Sequence, residues 1–174
     1  MDELTAELYR SLAAYDGRTT AELNTIRAAL ADRDGYLRSL ITLSDSPQIP
    51  IADGATWLLL DTVKHGRADG ASLSPADMVL LLDKLSGLPT WGAKLHICQS
   101  MRHLPIEATH LPLLVDFLNP LLVEKKPFLR AWSLDALVHL ASLDKSLQGK
   151  ADSALAAAMQ DPAESVRARA RNLV

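Results

Sequence analysis

Apolar residues recur along this chain at three- and four-residue spacings, and no stretch alternates apolar with polar as a half-buried strand would. The spacing predicts helices over 21–32, 75–86, 89–103, 127–142 and 162–173. Their starts carry recognisable signals. Thr19 and Thr20 precede the first, with Glu22 in its opening turn, and Ser74 precedes Pro75. Pro75, Pro89, Pro127 and Pro162 stand where a first turn tolerates a missing N–H. Turn signals fall between the helices: Ser46-Pro47, Gly66 to Gly70, Gly87 and Asn119-Pro120.

The pattern repeats. Leu23-Asn-Thr-Ile-Arg-Ala28, Leu60-Asp-Thr-Val-Lys-His65, Cys98-Gln-Ser-Met-Arg-His103 and Leu134-Asp-Ala-Leu-Val-His139 begin 37, 38 and 36 residues apart. Their columns agree in type: Leu or Cys, amide or acid, small, aliphatic, then usually basic. A near-constant period is the signature of stacked units, each with an apolar stripe that only a neighbour can bury. In the fourth copy Leu129, Ser133, Ala136, Leu137 and Leu140 share one helical face.

The C-terminal part identifies a family. Met159-Gln-Asp-Pro-Ala-Glu-Ser-Val-Arg-Ala-Arg-Ala170 resembles the start of the second helix of a HEAT repeat: an Asp-Pro turn, an acidic residue, then Val-Arg-x-x-Ala. One period earlier, Leu129 to Leu140 fits the same pattern. Before it, His110 to Asn119 resembles a HEAT first helix, including the proline that often kinks it. The resemblance is good from 106 to 174. From 20 to 105 only period and apolar spacing persist, and 121–126 reads as an insertion. It implies an all-α, right-handed α-solenoid of about four to five HEAT-like helical hairpins, with 1–174 as one repeat domain. Arg130 and Arg167 each follow an acid, Glu124 and Asp161, by six residues. The resemblance implies that these arginines form a ladder of ion pairs between repeats.

Composition narrows the function classes. The chain has 174 residues, 48% hydrophobic and 22% charged, enough to bury a core of its own. Its one cysteine, Cys98, forms no internal disulfide and sits in an apolar helical pattern, as a small buried hydrophobe does. The acidic N-terminus lacks the order of a secretion signal, and apolar runs such as Trp57 to Leu60 are far shorter than a membrane span. The expected location is cytoplasmic. Net charge is −3, with −5 over 1–120 and +2 over 121–174. A nucleic-acid binder usually carries a stronger positive bias, so that partner is disfavoured.

No phosphate loop, nucleophile elbow or zinc helix is present, so no catalytic residue and no cofactor is assigned. The repeat register points instead to a band beside the core stripe. In the fourth copy it holds Trp132, Asp135 and His139, three and four apart on one helical line. The same columns hold Leu58, Asp61 and His65, then His96, Gln99 and His103, with Asn24 and Ala28 in the first copy. Aligning Val166 with Leu129 adds Arg169 and Asn172. His65, His103 and His139 fall on three layers and converge poorly, so no metal site is assigned.

Two rival readings remain in view. HEAT-like alkylpurine DNA glycosylases trap a damaged nucleotide with Trp and Asp on the concave face, and Trp57, Asp61 and Trp132 loosely resemble that set. A purely structural assembly piece, joined through its end repeats, is the other. The expected function is a non-catalytic scaffold or adaptor. It holds another protein or peptide on the concave inner-helix face, with the band residues exposed.

Overall fold

The computed structural model describes residues 1–66 and 72–174, and these are all-helical, without strands. Among the described residues ten α-helices run in order: α1 Glu3–Ala13, α2 Thr20–Leu30, α3 Tyr36–Leu43, α4 Ile49–His65, α5 Pro75–Lys84, α6 Trp91–Ser100, α7 Leu111–Leu121, α8 Pro127–Leu143, α9 Gln148–Ala158 and α10 Glu164–Arg171. They fall into two compact units, Met1–Pro105 and Ile106–Val174.

Local chemistry explains the helix starts. Ser74 and Asp77 cap each other's backbone N–H at the head of α5, with Pro75 in its first turn. The Thr90 side chain accepts from the Ala93 N–H, so α6 begins at Trp91, two residues after the proline at 89. Pro50 and Pro127 occupy the first turns of α4 and α8. Three sequence expectations change. Asn119-Pro120 is no turn, because Pro120 lies inside the last turn of α7. Pro112 stands in the first turn of α7, where its missing N–H was never owed a partner, so nothing forces a kink there. The supposed insertion is the turn that joins α7 to α8. Of the glycine turn signal after α4, residues 67–70 lie outside the described residues. Gly66 closes α4 at φ +78°, a left-handed conformation that favours glycine.

Within unit 1 the helices sort into two sets. α1 packs on α3 and α3 on α5, while α2 packs on α4 and α4 on α6. α1 also meets α2, and α3 meets α4. The core between them holds Leu8, Leu12, Tyr36, Leu40, Ile51, Leu58, Leu59, Met78, Leu81 and Ile97, all fully buried. Gly54 of α4 is needed for close approach to α1: a Cβ there would stand 2.6 Å from Leu12 Cδ2.

Polar links between these helices share a sequence separation. The Thr5 and Ser39 hydroxyls hydrogen-bond at 2.8 Å, and Arg38 pairs with Asp77 at 3.2 Å. Lys84 pairs with Asp45 at 2.9 Å, and Gln48 Nε2 donates to Tyr9 Oη. Their partners lie 34 or 39 residues apart, close to the 36 to 38 residues between the repeated hexamers.

In unit 2 α8 is central, packing on α7, α9 and α10. Its stripe Leu129, Ser133, Ala136, Leu137 and Leu140 is buried, as its spacing predicts. Ala131 and Leu134 join Ala158, Val166 and Ala170 in a second cluster toward α9 and α10.

Of the expected arginine ladder one rung is present, at Arg130, while Arg167 makes its ion pair with Glu164 on its own helix. Arg130 Nε and Nη2 donate to the two carboxylate oxygens of Asp161 at 2.7 and 2.8 Å, a bidentate pair 31 residues apart. What Glu124 offers Arg130 is its backbone carbonyl, at 2.6 Å from Nη1, and the Asp161 carbonyl receives Arg167 Nη1 in the same way. These arginines therefore tie down the preceding interhelix turn. The hydrogen bonds from Arg130 hold the Asp161 carboxyl below its ordinary pKa, and the Arg130 guanidinium is raised in turn. Arg130→Gln removes the charge and the four hydrogen bonds that the guanidinium donates. We expect a loss of about 2 kcal/mol, seen as a lower denaturant midpoint with an unchanged slope. An unchanged midpoint refutes a supporting role for the pair.

Candidate functional site

The predicted band separates into residues that form polar clusters at the surface and residues that the core takes. In unit 2, α8 presents Trp132 and Asp135 three residues apart, and α10 presents Arg169 to both. The Arg169 guanidinium lies 3.9 Å from the Trp132 ring centroid, and its Nη1 is 3.3 Å from Asp135 Oδ2. Asp135 is only 4% exposed, which corrects the expectation of an open carboxylate. An ionised carboxylate there needs a cation, and Arg169 supplies it. The Arg169 side chain keeps 30% of its exposure. Ring and carboxylate together restrict where the guanidinium can sit, and a guanidinium has more N–H donors than the one that faces Asp135. His139 is half-buried one turn beyond Asp135, and Asn172 is exposed just past α10.

Unit 1 carries a related cluster. Asp61 of α4 takes Arg27 of α2 at 2.8 Å and His65, one turn along its own helix, at 2.9 Å. Arg27 also donates to the Gly66 carbonyl at 3.2 Å, so it fastens the C-terminal end of α4 to α2. A cation there also complements the negative end of the α4 dipole. His65 is exposed. Asn24 and Ala28, the first-copy columns, are exposed on α2.

Other band positions are corrected. Leu58 is fully buried and belongs to the core. His103 is exposed but lies in the short 3-10 turn Met101–His103, past the end of α6. Gln99 is half-buried on α6. His96 turns into the α4–α6 contact, where its Nδ1 is 3.0 Å from Thr56 Oγ1. The Thr56 hydroxyl also sits 2.8 Å from the Ala52 carbonyl. With its one proton given to that carbonyl, it can only accept from an Nδ1–H imidazole. Burial pushes His96 down to about 4, against a weaker opposing pull from Asp53. Asp53 itself accepts from Thr90 Oγ1, across the same contact.

Sequence reasoning missed this Asp53, Thr56, Thr90 and His96 group. The signal was available: Asp53 and Thr90 are 37 apart and Thr56 and His96 are 40 apart, one period in each case.

Cys98 is buried, and burial pushes its thiol pKa upward, away from the thiolate that a nucleophile requires. Among the described residues no three His, Cys, Asp or Glu side chains gather as a metal would need. Among them, too, no helix is long and apolar enough to cross a membrane. The basic C-terminal helix is largely neutralised: Arg167 and Arg171 both pair with Glu164, and Arg169 with Asp135. Compared with family models, curated proteins and solved structures, the chain returned no match.

Proposed function

We propose that this chain is a HEAT-like α-solenoid and works as a non-catalytic scaffold, binding another protein or peptide along its inner, even-numbered helices. Links recurring about one repeat length apart support the architecture, since stacked repeats contact only their neighbours. The binding reading rests on one observation: Arg169 is held by both Trp132 and Asp135 while its side chain stays 30% exposed. Arginine and tryptophan are the side chains that most often dominate protein interfaces, and a preset rotamer lowers the ordering cost of binding. The pairing of Arg167, Arg169 and Arg171 with Glu164 and Asp135 offsets two of their three charges and weighs against a DNA-tracking surface, which depends on uncompensated charge.

The test begins with the full chain as bait in a lysate of its source cells. Captured partners are then titrated against Arg169→Gln and against His65→Gln with His139→Gln. Arg169→Gln is expected to weaken binding at least tenfold, the scale of a strong interface position. The melting temperature should fall only slightly for the exposed His65. Binding that ignores all three substitutions removes the inner face as the docking surface. Tight, steeply salt-dependent binding to duplex DNA, or release of alkylated bases lost on Asp61→Asn, overturns the protein-scaffold reading.

A further inference from the structure

Unit 2 holds a second feature, on another side of α8. In unit 1 the odd-numbered helices lie against one another, but α9 packs chiefly on α8. Beside it opens a cleft of about 510 Å3, between the turn after α7 and the flank of α9. Leu134 and Val166 line it, with Leu122 and Val123 from the turn and Ala154 and Ala157 from α9. Val123 is 81% exposed. At 100° per residue, Arg130 and Leu134 lie about 150° round α8 from Trp132, Asp135 and His139, so the cleft and the inner band are separate surfaces.

We propose that this cleft docks the apolar face of an acidic amphipathic helix from a partner protein. Three observations support that occupant. The α9 wall carries only methyl groups at 154, 157 and 158, so an incoming helix can approach to a normal packing distance of 8–10 Å. The cleft's acid is already spent: Asp161 is occupied by Arg130 and by the Ala163 N–H. Glu124, in the adjoining turn, is one acidic side chain set beside the two lysines, and it accepts the neutral N–H of Lys125. The flanking lysines are not spent. Lys150 continues the line of Ala154 and Ala157 along α9, and Lys125 follows Val123 in the turn. Both are exposed, and neither has an ion pair among the described residues. An apolar trough flanked by unpaired ammonium groups complements a helix with aliphatic residues on one face and carboxylates beside them.

Fluorescence anisotropy on the full chain tests this with two labelled peptides of about 18 residues. Both carry Leu at helical i, i+3, i+4, i+7 spacing. One has Glu at the flanking positions and the other Lys. The Glu peptide is expected to bind at least tenfold more tightly, with a preference that shrinks as salt is raised. Ala157→Arg, at an exposed position, should cut that affinity at least tenfold, with circular dichroism and melting temperature unchanged. Lys125→Glu with Lys150→Glu should erase the preference. Equal binding of both peptides, or none, overturns the proposal. So does binding that survives Ala157→Arg. If binding survives that change but falls with Arg169→Gln, the peptide sits on the inner face, which supports the scaffold reading while removing this one. If the chain alone self-associates in sedimentation and Ala157→Arg abolishes that, the occupant is a second copy and the proposal is wrong.

Discussion

Acidification from pH 7 to pH 4 is expected to cost unit 1 about 3 kcal/mol through His96 alone. The imidazole has a folded pKa of about 4 against 6.5 when free. Each unit of difference is worth about 1.4 kcal/mol. Because the folded pKa is depressed, the unfolded chain takes up the proton first. The stabilisation is therefore complete above about pH 6.5 and is lost as pH falls from 6.5 toward 4. Asp53 is the charged group set against His96, and its pull is too small to rescue the imidazolium. The ordinary carboxylates titrate mainly at the lower edge of this window, so the upper part of the slope isolates the histidine. Denaturant unfolding at half-unit pH steps measures it, and hydrogen exchange in α4 and α6 localises it. His96→Gln keeps a polar partner for Thr56 and does not titrate, so its stability should be nearly level between pH 6.5 and 5. A slope in His96→Gln equal to that of the unaltered chain would falsify the assignment.

The second large effect is at Leu58. Its column in the repeat register belongs to the band, yet the side chain is fully buried within α4. Leu58→Ala should cost about 2–5 kcal/mol, the cost of a lost transfer energy plus a cavity that packed neighbours fill poorly. His65→Gln, two turns on and exposed, should cost less than about 0.5 kcal/mol. Equilibrium unfolding of the two variants separates core from surface along a single helix. A Leu58→Ala variant of near-normal stability would mean that this face of α4 is open.

Helix content and several helix starts were legible because they depend on near neighbours. Pro75 and Pro127 open helices at the residues their chemistry marks. The stripe from Leu129 to Leu140 was legible for the same reason. Asn119-Pro120 misled because a proline in a last turn gives up only one bond, to a carbonyl near the solvated helix end. The band was half legible. Periodicity gives the angle of a side chain round its helix, but not the breadth of the neighbour that covers it. Trp132, Asp135 and Arg169 do meet, and Asp61 meets His65. Leu58, at the equivalent angle, is taken into the core, and His96 turns toward Thr56 where α6 packs on α4. The ladder was read through its carboxylates, while the carbonyls that share the arginines have no residue type and so leave no mark in a sequence.

The polar links between helices reach back no more than 40 residues in any pair described above. A nascent chain leaving the ribosome therefore never waits for a distant partner. Thr56 can be met once His96 has emerged, and Asp45 once Lys84 has. Closing spans of this length carries a modest entropic cost, and a fold rich in near-diagonal contacts forms quickly. Birth in this order, N-terminal helices first, leaves each apolar stripe bare only for the few seconds that its next neighbour takes to be synthesised.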